Sequence, residues 1–406
     1  MEKFKTNHNL KTCPSIDLYK FIYYVKTILL IMGMFFLLLG CKKNSQKDQK
    51  SIKHFQVYYE EDRFAGWPAN HGIWIWEDEI LVGFVEAPHK ERRGHKYDNS
   101  LARDKYARSK DGLNWSIEDA YEHGQTGWRY NNRLDKDKTK DPKELKEPID
   151  FTHPDLALTF LRQTNNTGPS HFYYSYDRGK LWNGPFMLPN MGTEGIATRT
   201  DYIIDGKHKL MAFFTVAKSN GQEGRVLCAR TSDGGRSWER VAWVGPEPED
   251  FEIMPSSVRL SDSKILTVIR KRTGNGQDKL ISYMTEDNGK SWKQSNDPVS
   301  NTGNGGSPPA LVKLESGTLA LAYIVRKDEG DGSRVCVKFS SDEGQTWSDE
   351  IVLRQDGATR DAGYPRMVQR QDGKLLLVYY WNNALQDDAP PYRYIAATIF
   401  DPKKVE

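Results

Sequence analysis

Thr231-Ser-Asp-Gly-Gly-Arg-Ser-Trp238 decides the fold, because the chain keeps repeating it. A hydroxyl residue, then Asp, Gly and Trp, return in Ser175-Tyr-Asp-Arg-Gly-Lys-Leu-Trp182, Thr285-Glu-Asp-Asn-Gly-Lys-Ser-Trp292 and Ser340-Ser-Asp-Glu-Gly-Gln-Thr-Trp347. A further copy, Ser109-Lys-Asp-Gly-Leu-Asn-Trp115, is one residue shorter. Asp111, Asp177, Asp233, Asp287 and Asp342 are separated by 66, 56, 54 and 55 residues. A period in this range marks one supersecondary unit stacked on copies of itself. In each copy the carboxylate suits capping of turn N–H groups, the glycine a positive φ, and the tryptophan packing between units. These roles are structural, so the motif specifies an architecture and not a reaction.

Between the motifs, short apolar runs are joined by turns. Val258-Arg-Leu260 and Lys264-Ile-Leu-Thr-Val-Ile269 flank Ser261-Asp-Ser, and Leu311-Val-Lys-Leu314 and Thr318-Leu-Ala-Leu-Ala-Tyr323 flank Glu315-Ser-Gly. Each pair reads as a hairpin, and a third strand such as Arg225-Val-Leu-Cys-Ala229 runs into each Asp motif. Residues 52–402 hold no long amphipathic helical pattern. The expectation is an all-β, six-bladed β-propeller of four-stranded antiparallel blades, since about 350 residues at about 55 per blade make six. Residues 132–148, dense in Lys and Asp, read as an exposed insertion that accounts for the longest spacing.

The N-terminus reads as a targeting segment. Lys20 and Lys26 precede an apolar run over residues 27–39, too short for a membrane span. The run ends Leu38-Leu39-Gly40-Cys41, which resembles the lipobox of bacterial lipoproteins and implies lipidation of Cys41. The expected organisation is a signal peptide over residues 1–41, a polar tether over 42–52 and the propeller over 53–402. An ordinary secretory signal with an incidental cysteine stays open. Either reading exports the protein to the bacterial cell envelope, periplasmic or surface-exposed. With 58 basic and 55 acidic residues the net charge is +3, which offers no field for nucleic acid. A monomer is expected. Cys228 and Cys336 read as buried free thiols, and the nine histidines show no paired metal-ligand spacing. Neither a metal nor a cofactor is expected.

The Asp motifs and the hairpins between them resemble the Asp-box repeats of the sialidase superfamily over nearly all of the exported chain. That resemblance implies a central funnel with three arginines on a substrate carboxylate, a nucleophilic tyrosine with a glutamate partner, and an aspartate acid/base. Matched by position, the arginines are Arg63 in Asp62-Arg-Phe-Ala-Gly-Trp-Pro68, Arg270 closing the hairpin that begins at Pro255, and Arg334 opening the strand before the last Asp motif. The aspartate is Asp98, and the tyrosine is Tyr364 in Asp361-Ala-Gly-Tyr-Pro365. One position departs: where the resemblance calls for the glutamate the chain has Met254, which cannot accept a proton from Tyr364. Glu252 stands two residues away.

Polar residues without a counterpart in that pattern stand where blades open: Asn70-His71, His153-Pro-Asp155 and Arg199-Thr-Asp-Tyr202. A lone histidine is a competent general acid or base. Three readings stay open. The first is an exo-acting glycosidase of sialidase type that releases a terminal acidic sugar through Tyr364, Asp98 and the three arginines. The second is a glycosidase or lyase on another acidic polysaccharide, centred on His71 or His153. The third is a surface lipoprotein that binds acidic glycans without turnover.

Overall fold

The computed structural model describes residues 52–92, 94–121, 141–274, 277–327, 332–383 and 392–405, which form one compact unit. The leader with Cys41 and the 132–140 part of the insertion lie outside the described residues. In chain order the strands are β1 (Ile52–Tyr58), then β2 (Arg63–Gly66), β3 (Ile73–Trp76), β4 (Glu79–Pro88), β5 (Arg103–Ser109) and β6 (Ser116–Asp119) of the first blade. The second blade shows β7 (Ala157–Arg162), β8 (Ser170–Ser175) and β9 (Asn183–Leu188). The third has β10 (Tyr202–Gly206), β11 (Lys209–Ala217), β12 (Glu223–Thr231) and β13 (Glu239–Trp243). The fourth has β14 (Phe251–Arg259), β15 (Ile265–Arg272), β16 (Asp278–Thr285) and β17 (Lys293–Gln294), with β18 (Val299–Gly303) also on β16. The fifth has β19 (Ala310–Lys313), β20 (Leu319–Val325), β21 (Ser333–Ser340) and β22 (Ile351–Gly357). The sixth joins β23 (Gly363–Gln369), β24 (Leu375–Trp381) and β25 (Tyr394–Phe400) to β1. The fold is the six-bladed β-propeller expected from the repeat.

Pairing of β1 with β25 fastens the start of the propeller to its end, Ile52 opposite Phe400, and closes the ring. The insertion's described part touches the second blade, where the Lys143 carbonyl accepts from the Met187 N–H at 2.9 Å.

The core is divided among the seams. Five apolar clusters lie between consecutive blades, and a sixth joins the last blade to the first. Inner strands such as β11 and β20 are therefore covered on both faces and read as unbroken apolar runs. The Asp motifs seal these seams. Asp287 Oδ1 accepts the Ser291 N–H at 2.9 Å, Thr285 Oγ1 accepts the Gly289 N–H at 3.0 Å, and Trp292 Nε1 donates to the Gly289 carbonyl at 3.0 Å. The carboxylate cap recurs at Asp111, Asp177, Asp233 and Asp342. The glycine is dictated by the neighbour: a Cβ at Gly344 would stand 2.7 Å from Leu266 Cδ2, and one at Gly179 2.4 Å from Leu81 Cδ2, each on the preceding blade. Cys228 and Cys336 are free and buried at such seams.

Candidate active site

Strand direction separates two faces. The Asp motifs and the turns between first and second strands share one face. The openings of the first strands and the ends of the second strands share the other, the funnel face. On the funnel face three first strands are broken at a residue–proline pair: Trp67-Pro68, Met254-Pro255 and Tyr364-Pro365. Trp67, Met254 and Tyr364 hold left-handed backbones, with φ of 63°, 57° and 54°. Such a conformation costs about 1–3 kcal/mol in a non-glycine residue and gathers at functional sites. It interrupts the ladder between Ile253 and Ser256 and between Gly363 and Arg366. In the first blade the break widens into the short helix α1 (Pro68–His71). Ala69, Ile253 and Met254 pack together with Tyr364 at the propeller axis. Three strained openings thus build one floor.

Four guanidinium groups act on the charge of Tyr364. Arg270 and Arg326 come from the ends of second strands. Arg270 donates through Nη2 to the Gly305 carbonyl and lies 3.9 Å from Met254 Sδ. Arg326 donates from Nε to the Ala362 carbonyl at 2.9 Å and from Nη1 to Gly305 at 3.3 Å. Its Nη2, buried, has no partner among the described residues. The Arg326 guanidinium lies 5.8 Å from the Tyr364 ring centre. Arg199, opening the third blade, is fixed by Glu223 at 2.9 Å, and Arg162 closes β7. Burial alone pushes the Tyr364 phenol up, yet the opposing pull of Arg270, Arg326, Arg199 and Arg162, in that order, brings it below the ordinary phenol range.

Beside Tyr364 stands a second group. Its ring centre is 5.9 Å from that of Tyr380, whose hydroxyl donates to Asp361 Oδ1 at 2.8 Å. Asp361 also receives Arg393 Nε at 2.9 Å and faces His95 Nδ1 at 2.5 Å. Burial raises this carboxyl, but the His95 and Arg393 charges hold it well below the usual carboxylate range. The His95 ring meets Trp67 edge-on at 4.9 Å.

Beneath the floor the inner strands line a half-open cavity of about 260 Å³, bounded among others by Trp74, Asp201, Tyr202, Ser257 and Arg366. Arg366 crosses it to the carbonyls of Ala69 and Thr200. Asp201 accepts from Ser257 Oγ at 2.8 Å, and burial pushes its carboxyl up to about 7 against the pull of Arg366 and Ser257.

The residues singled out from the sequence divide accordingly. Tyr364, Arg270 and Arg199 come together on the funnel face. Arg334 does not join them; it lies along a blade face with its Nε 2.8 Å from Glu350 Oε1. Arg326, eight residues earlier, stands over Tyr364, and the parallel endings Thr-Val-Ile-Arg270 and Tyr-Ile-Val-Arg326 were its sequence signal. Arg63 is ion-paired with the buried Glu86, whose carboxyl burial raises against the pull of Arg63. Asp98 is on the loop between β4 and β5, where it caps the turn at Asn99–Leu101 by accepting from Ser100 N–H and Oγ at 2.9 and 2.6 Å. Those bonds and Lys90 hold it at about 2, ionised at neutral pH.

His71 is fully buried, 3.3 Å from Asp104, and packed so tightly under Gly83 that a Cβ there would stand 2.5 Å from its own Cβ. His153 stacks on Tyr176 at 4.4 Å on the Asp-motif face, opposite the funnel. Glu252 is bound to Lys271 at 2.9 Å and Tyr283 at 3.3 Å rather than to Tyr364. No motif or spacing marks the His95–Asp361 pair, whose members are 266 residues apart. Among the described residues no group of His, Cys, Asp or Glu side chains is placed to hold a metal.

Solved structures share this fold at low identity. A Dyadobacter fermentans protein of unknown function matches with a TM-score of 0.65 and 19% identity, covering 86% of this chain and 99% of its own. The NanB sialidase of Streptococcus pneumoniae matches with a TM-score of 0.56 and 11% identity over 87% of this chain and 71% of its own. A Penicillium chrysogenum alpha-L-arabinanase reaches 0.55 and 15% over 87% and 99%. No curated protein matches the sequence. Residues 110–377, which hold the aspartates of all five Asp motifs, match the BNR repeat-like domain, and this chain belongs to that family.

Proposed function

We propose that this protein is a glycoside hydrolase that cleaves a terminal acidic sugar, sialic acid or similar, from glycans at the bacterial cell envelope, where lipid on Cys41 would hold it. The observation that carries the reading is the Tyr364 phenol, drawn below its ordinary range by four guanidinium groups. They serve where Met254 cannot, because a phenol with a lowered pKa gives up its proton with less help from a base. Arg270 and Arg326 offer their remaining N–H donors to a carboxylate. Tyr364 Oη, as its phenolate, would attack the anomeric carbon as the glycosidic C–O bond breaks and the leaving oxygen takes a proton. Water would then displace the phenolate and return the enzyme.

The test is release of fluorophore from a sialic-acid aryl glycoside by the purified protein. Turnover is expected, with a loss of at least about 10³-fold in Tyr364→Phe. The packing of Met254 against Tyr364 favours a second reading, glycan binding without turnover. Absence of release, together with binding of an acidic oligosaccharide that Arg326→Ala abolishes, would establish it.

A further inference from the structure

We infer that His95 is the proton donor to the leaving oxygen, oriented by Asp361. This inference rests on the glycosidase reading of Tyr364. Four observations carry it. The His95 side chain is 40% exposed, whereas that of Asp361 is only 10% exposed, so the ring faces solvent and its partner does not. Nδ1 is engaged by Asp361, so Nε2 is the ring nitrogen left for a substrate. Asp361 is itself immobilised by Arg393 and Tyr380, which fixes the imidazole as the third member of a triad fixes its histidine. Finally, Asp361 begins the segment that ends in Tyr364, and Tyr380 touches both, so donor and nucleophile share one support.

Asp98 stands on the same loop, but its carboxylate is spent on the turn at Asn99–Leu101 and on Lys90. Asp361 faces the imidazole with Arg393 and Tyr380 bonded behind it, and uncharged Trp67 and Phe64 lie on the ring's flank. In the first step Tyr364 attacks as its phenolate, the Oη–anomeric carbon bond forms as the glycosidic C–O bond breaks, and the imidazolium gives its Nε2 proton to the departing oxygen. In the second the neutral imidazole takes a proton from the attacking water as the tyrosyl–sugar bond breaks. Proton and electron pairs balance without a further reactant.

Two substrates with the same acidic sugar separate the roles in the full-length protein: one with a nitrophenyl group, which leaves without a proton, and one with an alkyl group, which needs it. His95→Ala is expected to lower kcat/KM on the alkyl glycoside by about 10²–10⁴-fold and on the nitrophenyl glycoside by less than about tenfold. On the nitrophenyl glycoside azide is expected to speed the variant by attacking the tyrosyl–sugar bond without a base, yielding the glycosyl azide. The nitrophenyl substrate also reports that the variant is folded. Equal loss on both substrates, or the selective loss appearing in Asp98→Asn instead, overturns the assignment while leaving Tyr364 untouched. A wild type that turns over neither substrate overturns the glycosidase reading and this role with it.

Discussion

The guanidinium of Arg326 lies 5.8 Å from the centre of the Tyr364 ring, and one of its buried N–H-bearing atoms, Nη2, has no partner among the described residues. The two residues come from adjacent blades, yet Arg326 is pinned by the carbonyl of Ala362, two residues before Tyr364. A charge so anchored acts on the phenol and keeps a free donor for a ligand.

Arg326→Met is therefore expected to raise the Tyr364 phenol toward its ordinary range, as seen by ultraviolet difference titration against Tyr364→Phe. The same variant should weaken binding of an acidic oligosaccharide by about 10–100-fold, the worth of a charge-assisted hydrogen bond of about 1.5–3 kcal/mol. Arg334→Met, which removes only a partly exposed pair with Glu350, should change binding by less than about threefold. Equal effects of the two variants would remove Arg326 from the site.

His71 and Asp104 form a buried pair. His71→Ala would leave the carboxylate in the interior and a void beneath Gly83. Stability should fall by about 3–5 kcal/mol, the usual result of removing one member of a buried pair. Urea unfolding measures this. The fraction that remains folded should keep the wild-type kcat, since the ring is fully buried; a lost kcat in folded protein would return His71 to the chemistry.

The Asp-motif carboxylates set the acid limit of the fold. Asp342 is held at about 2 by the Thr346 hydroxyl and N–H, and Asp287 likewise by Ser291. A carboxylate depressed in the folded state stabilises at pH above its unfolded value of about 3.9, and that contribution disappears as pH falls toward about 2. Unfolding midpoints should thus drop steeply between about pH 4 and 2, and Asp342→Asn should flatten that slope while lowering stability at pH 7. An unchanged slope would deny the cap its role.

The fold was legible because a propeller repeats itself. Each Asp motif is a local turn whose bonds span at most four residues, so its identity survives in the linear sequence. Arg270 and Tyr364 were legible for a related reason: each stands at a fixed offset from a residue–proline break in a first strand. Arg334 misled because a strand's opening and its neighbour's ending differ by one turn in sequence, and only pairing places Arg326 at the axis and Arg334 against Glu350.

By itself the sequence determined the six blades, their order and the tyrosine at the mouth of the last one, since all follow from local turns and periodic apolar runs. Tertiary structure alone decided which charges face that tyrosine. Arg199, Arg270 and Arg326 come from three different blades, and His95 meets Asp361 across the closure of the ring. Their convergence depends on the geometry of the closed circle, in which residues hundreds of positions apart meet at the axis, and no spacing along the chain encodes it.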